Sequence, residues 1–271
     1  MGSATATLPG AVRYEALIAV RQRLLWVVLA PMAALIALVA VSSPAAGDAD
    51  SASAGVAVTA LGLSAFYTMG VGVALSDCLA RHRAGGDLLE ATPTAPTVRL
   101  LGAVGGPLAV ALVPAGAVLL LVGTIRALVD ASPDPIGAAA VALLTIVAPG
   151  ALALTALAVV LGLWLPVVFA RIAVVLTWGW ATLLTPGLLP VPTVTGTILS
   201  PLGGYPAVTW LGAPSTWADR GETGPLRLAA DDGAALLNLG ATLLIGLALL
   251  ALARLLLSEA GSRIRKEDQT R

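Results

Sequence analysis

Six stretches free of Asp, Glu, Lys and Arg, at 24–47, 51–76, 100–125, 135–170, 172–218 and 233–253, alternate with short charged segments. A hydrocarbon core about 30 Å thick takes about 20 apolar residues in a helix rising about 1.5 Å per residue, so each stretch is long enough to cross it. Lipid offers no partner to backbone N–H and C=O groups, and such segments must therefore satisfy themselves as helices. The period-2 alternation of a β-barrel is absent. The pattern predicts an all-α polytopic membrane protein with six transmembrane helices.

The expected spans are about 24–43, 55–76, 100–123, 136–161, 171–185 and 234–257. The fourth ends at Trp164-Leu165-Pro166. Beyond residue 185, Pro186, Pro190, Pro192, Pro201, Pro206 and Pro214 argue against another regular helix, as do five interspersed glycines. Residues 186–232 therefore form an outer, partly re-entrant loop, and 258–271 a basic tail. Pro107, Pro114 and Pro149 are expected to kink spans three and four. Gly70, Gly72, Gly102, Gly105, Gly106, Gly116, Gly240 and Gly246 suit close helix approach, because small residues let backbones pack tightly in lipid. The lead before the first span is charged and amphipathic, unlike a cleavable signal sequence.

Composition agrees, with 58% hydrophobic residues, 11% charged residues and a mean hydropathy of +0.94. A soluble domain is nearer one quarter charged. The formal net charge of zero hides an asymmetry. Starting the chain in the cytoplasm leaves only Arg126, Arg220 and Arg227 of the 15 Lys and Arg outside. That bias puts both termini in the cytoplasm, and nothing in it points to nucleic acid. The single lysine, Lys266, among abundant Ala, Gly and Arg fits a GC-rich bacterial source and a multi-pass protein of the bacterial cell membrane.

The chain carries little catalytic chemistry. One cysteine, Cys78, and one histidine, His82, cannot build a disulfide or a His/Cys metal site. No Walker A run is present, so the chain is not its own ATPase. The span centres hold no ionisable residue, only hydroxyls such as Thr59, Ser64, Thr145, Thr155 and Thr177, with Asn238 near the outer end of the last span. Coupling to an ion gradient is therefore poorly supported.

Two cytoplasmic segments are more specific. Residues 1–23 form a lead in which Val12, Ala16, Leu17, Val20 and Leu24 share one helical face and Arg13, Arg21 and Arg23 lie largely off it, as in an N-terminal amphipathic interfacial helix. In the loop between spans two and three, Gly85-Gly86 ends one helix and Asp87 can cap a short new one. That helix presents Leu88 and Leu89 before Thr92-Pro93 stops it. Exposed leucines flanked by charge fit a partner's groove.

This layout resembles the permease subunits of ABC-2 type exporters. The features that carry the likeness are the amphipathic lead, the basic loop with Gly-Asp-Leu-Leu and Thr-Pro, six spans with both ends inside, and a long outer loop before the last span. The likeness covers nearly the whole chain in layout but is motif-like only over 81–99. It implies that Arg13, Tyr14, Leu17 and Arg21 belong to a connector helix. It also implies that Asp87, Leu88, Leu89, Glu90 and Thr92 form a coupling helix that docks on a separate ABC ATPase subunit, and that Pro186 to Pro214 is the re-entrant outer region. The chain itself then needs no cofactor, ATP and Mg2+ being held by the ATPase, and it works beside a second permease copy or paralogue. An apolar, hydroxyl-lined path fits a lipidic, peptidic or drug-like substrate. Two other readings stand beside this one. One is a non-transporting scaffold or assembly subunit of a membrane complex, and the other an integral membrane lipid-modifying enzyme.

Overall fold

The computed structural model describes residues 7–42, 52–79, 95–184, 193–215, 218 and 226–269, with only the backbone described at 52 and 259–269. Among the described residues the main helical segments follow in order. They are α1 (Leu8–Val20), α2 (Arg23–Ser42), α3 (residues 52–75), α4 (Pro96–Val129), α5 (Asp134–Trp164), α6 (Val167–Thr182), α7 (Gly204–Leu211) and α8 (Asp232–Gln269). Five of them, α2, α3, α4, α5 and α8, are long and apolar enough to cross a membrane, and these are the helices of a multi-pass membrane protein. The expected fifth span, 171–185, is replaced by α6, which is apolar but has only 16 residues.

Helix ends follow local chemistry. Pro96 opens α4 in a first turn whose N–H groups have no intrahelical partner, and extended Ala95 precedes it. Asp134 and Pro135 begin α5, with the Ser132 hydroxyl 2.9 Å from the Asp134 carboxylate. At its far end Leu165 turns extended and Pro166 starts α6, so the two helices are joined by a sharp stop. Asp231 caps α8, its carboxylate accepting the Ala234 N–H at 2.7 Å. Pro107 and Pro114 lie inside the unbroken helix α4. Pro149 sits in the first turn after a π turn in α5, Leu143–Val147. A second π turn, Leu63–Tyr67, interrupts α3.

The buried centre is α3. It packs on α2, α4, α5, α6 and α7, and glycines set the approach. A Cβ at Gly70 would lie 2.7 Å from Met32 Sδ of α2, and one at Gly72 2.8 Å from Leu154 of α5 and 3.0 Å from Val174 of α6. At one end of the bundle Gly162 of α5 faces the Ser76 carbonyl just past α3, and a Cβ there would overlap it. At the opposite end Gly123 of α4 rests on the Pro135 carbonyl, 2.7 Å from its would-be Cβ. Gly246 of α8 meets Leu152 and Ala153 of α5. Gly116 faces Leu143 at 3.3 Å, whereas Gly240 has open space.

The segment after α6 corrects one expectation. Proline and glycine do not keep it wholly irregular, since α7 forms an eight-residue helix. Pro206 falls in its first turn, and Gly203 and Gly212 bracket it in the left-handed conformation with φ of 80° and 70°. Residues 195–197 and 200–207 are buried. Gly203 sits against Ile146 and the Pro201 carbonyl against Gly150, both near the midpoint of α5. Irregular backbone therefore reaches the middle of the bundle, covered there by protein as the hydrocarbon core requires.

Candidate functional site

Two places combine polar chemistry with unusual backbone. The first is a seam at mid-bundle where the π turn of α3 meets α5, α6 and the 193–202 segment. The π turn hands the Thr68 N–H to the Leu63 carbonyl, which turns the neighbouring carbonyls sideways. Trp178 of α6 uses them, its indole N–H donating to Ala65 at 2.9 Å and Ser64 at 3.2 Å. The Thr68 hydroxyl also donates to the Ser64 carbonyl. Tyr67, fully buried, donates its hydroxyl to the Ala111 carbonyl of α4 at 2.5 Å. Trp178 is 2% exposed and is a packing and hydrogen-bonding residue of the interior.

The 193–202 segment closes the seam. Asn238 of α8 donates to the Ile198 and Ser200 carbonyls at 2.8 and 2.9 Å, and the Ser200 hydroxyl donates to the Ala181 carbonyl at 3.3 Å. Among the described residues the hydroxyls of Ser64 and Thr155 and the side-chain carbonyl of Asn238 have no hydrogen-bond partner. A Cβ at Gly150 would lie 3.0 Å from both Ser64 Oγ and the Pro201 carbonyl. Among the described residues this seam is lined by hydroxyl and carbonyl groups with no charged side chain, and its polar atoms are buried by packing.

The second place is the end of the bundle that holds α1. There the Asp77 carboxylate, just past α3, pairs with Arg171 of α6 at 3.6 Å, beside the Ser76–Gly162 contact. Helix α1 crosses the first turns of α4. Gly102 faces Ala11 (2.9 Å from a would-be Cβ), and Gly106 faces the Val12 carbonyl, Glu15 Cβ and the Ala16 nitrogen, each at 2.7 Å. Trp26 then fastens the elbow between α1 and α2 by donating to the Val20 carbonyl at 2.8 Å.

This docking corrects the expected amphipathic face. Val12 and Ala16 do turn inward, joined by Glu15 and buried Ala19, but Leu17 and Val20 point away from the bundle with Arg13, Tyr14 and Arg21. The arginines share the outward face with the larger apolar side chains. The signal for this was present as glycines at 102 and 106 in α4, one helical repeat apart, which favour a helix partner over lipid.

The proposed coupling residues Asp87, Leu88, Leu89, Glu90 and Thr92 lie outside the described residues, as does His82. Both helices that bracket them are fixed, α3 by Ser76 and Asp77 and α4 by α1. Among the described residues no group of three His, Cys, Asp or Glu could hold a metal ion, and Cys78 is buried. No family model, curated protein or solved structure matches the chain.

Proposed function

We propose that the chain is the membrane-spanning permease subunit of an ATP-driven exporter of ABC-2 type, paired with a second permease and driven by separate ATPase subunits. The observation that carries this reading is the double anchoring of the 80–94 connection. On one side the Ser76–Gly162 contact and the Asp77–Arg171 pair tie α3 to α5 and α6, and on the other Gly102 and Gly106 tie α4 to α1 and, through the Trp26 elbow, to α2. A displacement of the facing ends of α3 and α4 would reach α2 and α6 together. Closely packed interiors pass on displacement rather than absorbing it.

In this mechanism ATP binding closes the ATPase pair, and the coupling segments of two permeases are drawn together. Differential affinity of the two states for ATP supplies the work. The largely exposed faces of α2 and α6, with Leu35, Leu38, Phe169, Ile172 and Leu176, flank α3 and supply surface for a second permease. The uncharged seam around Ser64, Trp178 and Asn238 suits a lipidic, peptidic or drug-like cargo. No nucleic acid, metal or cofactor is required of this chain, and the bacterial cell membrane is its proposed location.

Purifying the tagged chain gently from its own membranes and identifying what co-purifies tests the reading. A P-loop ATPase in stoichiometric amount is expected, and it should be lost in Leu88→Glu or Leu89→Glu with membrane insertion intact. Retention of the ATPase in those variants would remove the coupling assignment. A second reading, a non-transporting assembly subunit, draws on the same interior, since its described centre is filled by side chains hydrogen-bonded to backbone. A folded chain that co-purifies without any ATPase would favour it.

A further inference from the structure

We infer that the outward face of α1 binds the phosphate headgroups of anionic membrane lipids, with Arg13 and Arg21 as the headgroup ligands and Leu17 between them as the apolar anchor. The three residues are spaced four apart and so share one face, the arginines about 12 Å apart along the helix. Tyr14, Leu17 and Val20 are 62%, 55% and 50% exposed, and no described part of the chain covers them.

Depth argues for lipid as the occupant. Helix α4 has 34 residues and is about 51 Å long, roughly 20 Å more than a hydrocarbon core. Shared between its ends, the excess leaves about 10 Å beyond the core on each side. Gly102 and Gly106, where α1 crosses, are about 9 and 15 Å from the start of α4, so α1 lies at and just inside the hydrocarbon boundary. The elbow at 21–22 leads directly into α2, which repeats that level.

Charge argues for an anionic headgroup. The basic groups of α1 and its elbow, Arg13, Arg21 and Arg23, are all exposed, while the one acidic group of α1, Glu15, is on the side against α4. A guanidinium matches phosphate oxygens with paired N–H donors, and long arginine stems reach the headgroup level while their helix lies on the acyl boundary. Each arginine near an anionic surface is worth about a fivefold gain in affinity, giving about 25-fold for the pair. This inference does not depend on the exporter reading.

The test uses the purified full chain in detergent with equal amounts of phosphatidylglycerol and phosphatidylcholine, and native mass spectrometry to count retained lipids. A clear preference for phosphatidylglycerol is expected, falling at least tenfold in Arg13→Gln/Arg21→Gln. Inorganic phosphate added at millimolar concentration should not displace the lipid, since Leu17 and Val20 contribute only to an acyl-bearing ligand. A photoreactive phosphatidylglycerol should label the 7–23 segment of the unaltered chain, a measurement that needs no variant to fold. No preference between the lipids, an unchanged preference in the double variant, or labelling confined to other segments would each overturn the inference. So would co-purified protein that shields residues 13–21 from the photoreactive lipid.

Discussion

Helices α2 and α3 follow one another in sequence, and both are long and apolar enough to span a membrane. They occupy opposite environments. The apolar window of α2 is 17% buried and that of α3 is 72% buried, although α2 is the more hydrophobic of the two. In water this order would be paradoxical. In lipid it is expected, because a leucine gains little by leaving one apolar medium for another, and what draws helices together is close packing and backbone or hydroxyl hydrogen bonds. Helix α3 has Gly55, Gly62, Gly70 and Gly72, two hydroxyl residues around a π turn, and a buried tyrosine, whereas α2 has no glycine at all. Small and polar residues, rather than hydrophobicity, decide which helix forms the core here.

Breaking the tightest contact should have the largest effect. Replacing Gly162 by Leu would drive a side chain into the Ser76 carbonyl, where neither partner is the movable end of a side chain. Overpacking of this kind costs about 1–3 kcal/mol and can cost more when backbone must shift. The variant is expected to lose its monodisperse peak in size-exclusion chromatography and its resistance to protease in detergent. Gly106→Leu should free α1 from α4 in the same way, exposing the 7–23 segment to protease first. A stable, protease-resistant Gly162→Leu chain would show that the α3–α5 seam is looser than the glycine contact implies.

Next comes the anchor of the 193–202 segment. Asn238→Leu keeps the volume of the side chain approximately but removes both donors to the Ile198 and Ser200 carbonyls. Buried acceptors left without partners cost about 1–3 kcal/mol each, moderated by whatever new partners they find. A fall in melting temperature of several degrees is expected in a thermal scan, with faster hydrogen exchange at residues 198–202. Unchanged exchange there would mean that packing of α7, not Asn238, holds the segment in place. The indole N–H of Trp178 should matter less. Trp178→Phe keeps an aromatic side chain of smaller volume and loses donations to two carbonyls; hydrogen bonds between membrane helices average about 0.6 kcal/mol, and the buried volume lost adds to that.

Much of this architecture was legible in the sequence, and the part that was not has a physical reason. Absence of charge located the apolar helices, and proline with an extended residue marked the break at 164–166. The glycines at 70, 72, 102, 106 and 246 announced close approaches. The π turns were not readable, because Leu63–Tyr67 and Leu143–Val147 have the composition of ordinary helix. The interior place of Trp178 is not readable for a related reason, since its partners are backbone carbonyls beside the π turn. The apolar arc of α1 is divided in a way its own sequence does not show, because the glycines of α4 take Val12 and Ala16 while Leu17 and Val20 stay outward. Helix α7 was missed because Pro206 was read as a breaker, although a proline in a first turn breaks no hydrogen bond.

The smallest effect on stability should come from the outer face of α2, and for that reason it separates lipid from protein as its neighbour. Leu35 and Leu38 are 59% and 66% exposed, so trimming either to alanine removes few contacts within the chain. Surface substitutions of this kind usually fall within about 0.5 kcal/mol, and an unchanged melting temperature is expected for the isolated chain. If the face meets only lipid, that is the whole consequence, since one apolar contact replaces another. If it meets a second copy of this chain, Leu35→Cys should give a dimer on mild oxidation in native membranes, with the buried Cys78 left in place as an unreactive background. Leu38→Ala should then weaken that dimer without altering the fold. A cross-link to a different protein would identify a paralogous partner, whereas a Leu35→Cys chain that stays monomeric in its own membranes would leave α2 facing lipid. In that last case the exposed faces of α2 and α6 would no longer support a paired permease.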